Sequence, residues 1–141
     1  MVGVNQKLNS MFRLSKKADY GLIALKHLAL HTEESVSAKQ IATEYRIPAE
    51  LLAKILQRLA RKGLVISQQG TRGGYVLGRD PSKISIVDVI EALDGPIGIT
   101  PCERGSSCEQ MERCTVKDPL MAVRAKMVRV LGDTSIYELA G

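Results

Sequence analysis

The chain has 141 residues, 45% hydrophobic and 25% charged, the size and make-up of one soluble domain with at most an appendage. Aromatic residues are only 4%, with no Trp and one Phe, so any core must be aliphatic. The formal charge of +5 is uneven: 13 Lys and Arg face 6 Asp and Glu through Pro81, and 7 face 9 from Ser82 onward.

A basic first part suits a polyanionic partner, although basic surfaces are also commonly just solvated. No stretch reaches the ~20 apolar residues of a membrane span. The opening MVGVNQKLNSMF has no apolar run to serve as a signal peptide. The expectation is a cytoplasmic protein with no membrane partner, in which thiols stay reduced.

Residues 1–12 are expected to be a flexible leader, with Met11 an alternative start. Ser15 is placed to cap a helix through KKADYGLIALKHLALHT, where Leu22, Leu25 and Ala29 recur at helical spacing. SAKQIATEY opens a second helix with a capping box, Ser37 and Gln40. After the short turn RI, Pro48 suits the first position of a third helix, PAELLAKILQRLARKG, ending at Gly63. Its Leu51, Leu52, Ile55, Leu56 and Leu59 form the apolar side.

The period then changes. LVISQQ and YVLG read as short strands joined by the glycine-rich tip GTRGG. Ser85 begins a short helix, SIVDVIEAL, closed by Asp94-Gly95-Pro96. The last long helix, DPLMAVRAKMVRVLGD, has Asp118 as its cap and Pro119 in its first turn. Its Leu120, Val123, Met127 and Val130 alternate three and four apart, the seam of a helix that pairs with another.

Helix, helix, turn, helix and hairpin is the order of a winged helix-turn-helix. The expected fold is mainly α with a small β-hairpin wing, plus a long C-terminal dimerisation helix. The winged domain takes 13–82, a connecting helix 83–96, a cysteine loop 97–116, and the dimerisation helix with its tail 117–141.

In such a domain the third helix enters the major groove. Removing its apolar side leaves Glu50, Lys54, Gln57, Arg58 and Arg61 among the residues facing outward. Glu50 can accept from a cytosine amino group and Lys54 can reach guanine acceptors. Arg58, Arg61 and Lys62 suit phosphates, which position a protein without reading sequence. At the wing, Gly70, Gly73 and Gly74 permit close backbone approach and leave Arg72 as the one long side chain of the tip, suited to a narrow minor groove. Pairing through the final helix makes a homodimer and a palindromic double-stranded operator the natural target.

All three cysteines lie in PCERGSSCEQMERCTVKDP, as Cys102, Cys108 and Cys114, with five residues between neighbours. Thiolates are soft ligands for iron–sulfur clusters or zinc. Structural zinc usually draws on tighter C-x2-4-C knuckles. A disulfide leaves one thiol over, and unliganded reactive thiols are a further option. A redox enzyme using Cys108 finds little support, since there is no C-x-x-C pair and no cysteine–histidine pairing near the loop. Neither an enzyme nor a small-molecule substrate is expected.

FRLSKKADYGLIAL, the QQGTRGGYVLGRDP wing, ISIVDVIEALDG and C-x5-C-x5-C together resemble the Rrf-type winged-helix transcription regulators, across roughly residues 11–139. The resemblance implies a homodimer whose cysteines hold an iron–sulfur cluster that senses redox state, nitric oxide or iron–sulfur status and sets DNA affinity, repression included. In the family's iron–sulfur-assembly regulator a His three residues after the last Cys completes the ligand set. Lys117 stands there instead, with no lone pair to offer at neutral pH. Other cluster-binding members use a carboxylate near the start of the first helix, and the matching residue is Asp19 in KKADYG. That carboxylate, a harder and more labile ligand, suits a sensing site across the dimer, although an acid in a first helical turn is favourable anyway. Three Cys and one Asp suit [4Fe–4S] more readily than [2Fe–2S]. The alternative is a cluster-free regulator of the same fold, controlled by thiol oxidation or a protein partner.

Overall fold

The computed structural model describes residues 14–70, 73–97 and 117–141. The leader, the wing tip at 71–72 and the segment 98–116 lie outside the described residues.

Helix α1 spans Lys16–Leu30, and the Ser15 hydroxyl accepts from the Ala18 amide at its start. Helix α2, Ala38–Tyr45, carries the expected capping box: Ser37 Oγ accepts from the Gln40 amide, and Gln40 Oε1 from the Ser37 amide. Arg46 adopts a left-handed backbone (φ 55°) and reverses the chain into α3, Ala49–Arg61. Pro48 stands just before that helix, one position earlier than expected, within the usual latitude of helix ends.

Strands β1 (Val65–Gln68) and β2 (Gly74–Leu77) pair antiparallel, with Val65 opposite Leu77 and Gln68 opposite Gly74. On its other side β2 meets Val36: the Val36 amide donates to the Tyr75 carbonyl at 3.0 Å, and the Tyr75 amide to the Val36 carbonyl at 2.8 Å. The wing is thus sewn to the α1–α2 connection as well as to itself. A 3-10 turn at Pro81–Lys83 leads to α4, Ile86–Asp94, opened by a second capping box from Ser85 and Asp88. Helix α5, Lys117–Asp133, begins one residue before the expected cap, and α6 is the short Ile136–Ala140.

The core is aliphatic throughout, with Leu25, Leu28, Ile41, Leu52, Leu56, Leu59, Leu93 and Ile136 fully buried. Two features organise it. Gly21, in the middle of α1, sits where helices α1, α3 and α4 converge: a Cβ there would lie 2.6 Å from Leu93 Cδ1 and 3.3 Å from Val89 Cγ1. A mid-helix glycine costs about 1 kcal/mol against alanine, so its presence reflects that close approach.

The second feature is the C-terminal tail, which returns to the winged domain. Ile136 is wholly buried, its amide donates to the Ile84 carbonyl, and the Ile86 amide donates to Thr134. Residues grouped by sequence with the dimerisation helix are therefore part of the DNA-binding core. Among the described residues no helix is long and apolar enough to cross a membrane.

Candidate nucleic-acid interface and the root of the cysteine segment

Helix α3 is strongly two-sided. Leu52, Ile55, Leu56 and Leu59 are buried, while Glu50, Lys54, Gln57, Arg58 and Arg61 are exposed on the opposite face. These three leucines and one isoleucine recur three and four apart, so burying one stripe obliges the charged stripe to face water. Glu50 lies in the first turn and Arg58 and Arg61 in the last, each favourable to the helix dipole.

The charged residues are not equivalent. Nη1 of Arg58 donates to the carbonyl oxygen of Leu93, the penultimate residue of α4, at 2.9 Å. Lys54, Gln57 and Arg61 make no hydrogen bond or ion pair with another described side chain. A phosphate contact by Arg58 would use its remaining donors, since a guanidinium has five N–H groups.

At the wing, Gly74 and Gly73 are required by close approach. A Cβ on Gly74 would lie 2.6 Å from the Val36 carbonyl carbon, and one on Gly73 would lie 2.8 Å from the Gln68 carbonyl oxygen. These glycines let β2 run against the Val36 segment and let the hairpin close. Arg72, the tip residue expected to enter the minor groove, lies outside the described residues.

The cysteines, Cys102, Cys108 and Cys114, also lie outside the described residues, as does the Lys117 side chain. Where the chain leaves α4 toward them is well defined. Asp94 closes α4, and its Oδ2 accepts from Ser15 Oγ at 2.6 Å while Oδ1 lies 4.0 Å from Lys17 Nζ. Nε of Arg124, on α5, donates to the carbonyl of Ile97. The amino-terminal end of α1 is thus fastened to the root of the cysteine segment in the same subunit. Asp19, one turn into α1, is exposed there, and its carboxylate has no partner among the described side chains. Among the described residues no group of three His, Cys, Asp or Glu is placed to hold a metal. Three soft thiolates and one hard, accessible carboxylate are chemically a fitting set for an iron–sulfur cluster.

On α5, Val123 is 47% and Val130 65% exposed, while Leu120 and Met127 are half-buried. Their seam is partly turned to solvent.

From sequence, His27 and His31 read as surface or packing residues of α1, without a link to Tyr45. His27 is buried, with Nδ1 hydrogen-bonded to Tyr45 Oη at 2.8 Å and its ring stacked on His31, centroids 4.1 Å apart. His31 Nδ1–H donates to the His27 carbonyl. Burial depresses the His27 pKa, the neighbouring His31 depresses it further, and Glu44, 3.9 Å away, pulls it partly back up. Spacing of i, i+4 on α1 was the available signal for the stack. Gly21 and the tie from Arg58 to α4 were also missed. A glycine inside an otherwise regular helical pattern was the one clue to the first, and nothing local marks the second.

A helix-turn-helix with an exposed basic third helix and a glycine-tipped wing defines a winged-helix DNA-binding protein. The Rrf2 family, described as "Iron-dependent Transcriptional regulator", matches residues 14–141, and the chain belongs to that family. It is 33% identical over 128 residues to the HTH-type transcriptional regulator IscR of Xenorhabdus nematophila, covering 90% of this chain and 78% of that protein. Among solved structures it is similar to CymR, the global cysteine regulator of B. subtilis, with a TM-score of 0.77 and 32% identity over 92% of this chain and 97% of that one. It is likewise similar to T. potens IscR, with a TM-score of 0.72 and 28% identity over 91% and 85% of the two chains. The chain is accordingly a DNA-binding transcriptional regulator and not an enzyme.

Proposed function

We propose that this regulator works as a homodimer whose affinity for a palindromic operator is set by an iron–sulfur cluster held by Cys102, Cys108 and Cys114, with Asp19 as fourth ligand and [4Fe–4S] the favoured form. When bound, the cluster supplies a redox- and nitric-oxide-sensitive centre. The observation that supports the reading is the exposed Asp19 carboxylate, without a partner among the described side chains, on a helix end that the Ser15–Asp94 contact fastens beside the root of the cysteine segment, where it is open to a trio reaching across the dimer.

Ligation by the trio and by Asp19 across the dimer holds residues 100–116 against a winged domain. It thereby fixes the angle between α5 and α3, and with it the separation of the two recognition helices. Glu50, Lys54 and Gln57 then meet base edges, Arg58 and Arg61 meet phosphates, and Arg72 with Gly73 and Gly74 meets the minor groove. Leu120, Val123, Met127 and Val130 pair the two α5 helices. A tenfold change in affinity needs only about 1.4 kcal/mol of differential binding between the two states.

The test uses protein purified without air, assayed for iron, sulfide and visible absorbance. Its binding is measured to a duplex that the intact protein enriches from a random-sequence pool. The expected result is a bound cluster and an operator affinity that changes about tenfold or more on its loss. Colourless, iron-free protein would favour the cluster-free reading, in which thiol oxidation or a partner protein sets affinity. Unchanged affinity in the Cys102→Ala, Cys108→Ala double variant would count against both forms of thiol control.

A further inference from the structure

The short stretch from Leu93 to Ile97 is gripped by three different elements. Helix α3 holds it through the bond from Arg58 to the Leu93 carbonyl, at 2.9 Å. The start of α1 holds Asp94 through Ser15 and Lys17. Helix α5 holds the Ile97 carbonyl through Arg124. The carbonyls in the last turn of a helix have no partner within it, and they sit at the negative end of the helix dipole. A guanidinium is therefore a strong partner there, and its bond is charge-assisted. The Leu93 side chain is 2% exposed and abuts Gly21, so the residue that receives Arg58 is clamped between α1 and α3.

We propose that Arg58 is a positioning residue that couples the cysteine segment to the recognition helix. It is rooted in the exposed face of α3, but its guanidinium reaches back to α4 at the place where the chain departs for the cysteines. A shift of the Leu93–Ile97 stretch moves the Leu93 carbonyl, and Arg58 passes that shift to α3. The inference rests on the proposed thiol-dependent control of operator affinity and names the residue through which it travels. A phosphate contact alone would make Arg58 contribute equally whatever the state of the cysteines.

The distinction is measurable as a ratio. Operator affinity is determined anaerobically, on the pool-enriched duplex, for iron-loaded wild type and for the Cys102→Ser, Cys108→Ser, Cys114→Ser variant, each with and without Arg58→Gln. The expected result is a ratio of about tenfold between the two forms with Arg58 present, shrinking to within about twofold with Arg58→Gln. A pure phosphate role predicts instead that Arg58→Gln weakens both forms alike, lowers the salt slope by about one and leaves the ratio intact, which overturns the proposal. Asp94→Ala provides the second arm, because it loosens the same stretch from the Ser15 and Lys17 side without touching α3. It is expected to shrink the ratio with the salt slope unchanged, and it decides the matter should Arg58→Gln fail to fold. No ratio in the wild type would overturn thiol control itself and this inference with it. A wild-type ratio that survives Arg58→Gln would overturn this inference alone.

Discussion

His27 shows how one buried polar side chain makes stability depend on pH. Its imidazole is held neutral by burial and by His31, with Tyr45 satisfying Nδ1. The folded pKa lies below the ordinary value of 6.5, so in the window beneath that value the unfolded chain binds more protons than the folded one. Stability from this residue is complete above that value and is lost as pH falls toward the folded pKa. Thermal melts between pH 7.5 and 5.5, values chosen to bracket an ordinary histidine at about 6.5, should show Tm falling on acidification. The decline should be flatter in His27→Gln, and equal slopes would assign it to other groups.

Gly21 raises a question of sign at the same scale. Alanine gains about 1 kcal/mol in helix propensity, but its methyl must displace Leu93 in a packed core, at a typical cost of 1–3 kcal/mol. Gly21→Ala should lose about 1 kcal/mol net, lowering Tm by roughly 4 °C. A higher Tm would mean that Leu93 has room to move.

Among the elements, α3 and the wing are the proposed carriers of recognition, with the work divided between them. In the proposed complex Glu50 and Lys54, early in α3, meet base edges and Arg61, at its end, meets a phosphate. The two are separable by measurement. Arg61→Ala should weaken binding to all sequences alike and lower the salt slope by about one. Lys54→Ala should cost ~1–3 kcal/mol on the preferred site and relax preference at one base position. Equal effects on every sequence would place Lys54 with the phosphate contacts.

The caps of α1, α2 and α4 were legible in the chain because they depend on near neighbours. Ser15, Ser37 and Ser85 each accept from the backbone three residues on, so a few adjacent letters suffice. The wing was legible for the same reason, through its change of period and its glycines. That β2 also pairs with Val36, and that Gly74 serves this approach, was hidden because the partner lies far away in sequence.

For the whole molecule the open surface of α5 matters most. Val123 and Val130 are turned to solvent on a helix that packs against α4, and a second copy of the chain is the proposed cover. Val123→Glu with Val130→Glu should convert a dimer to a monomer in sedimentation at micromolar concentration, with the helical circular dichroism signal retained. A dimer that persists would move the interface elsewhere.

At this scale the contributions of sequence and fold separate cleanly. Periodicity, capping residues and turn glycines determined the order of elements and the winged-helix class, and the spacing of Cys102, Cys108 and Cys114 suggested the proposed ligand trio. Each depends on residues a few positions apart. Only the tertiary structure decided that Arg58 faces the Leu93 carbonyl, that Asp94 meets Ser15, and that Ile136 returns to the core. Periodicity tells which face of an element is apolar or charged. It is silent on what another element, brought back from far along the chain, lays against that face, because packing complementarity selects that partner only once the helices have met.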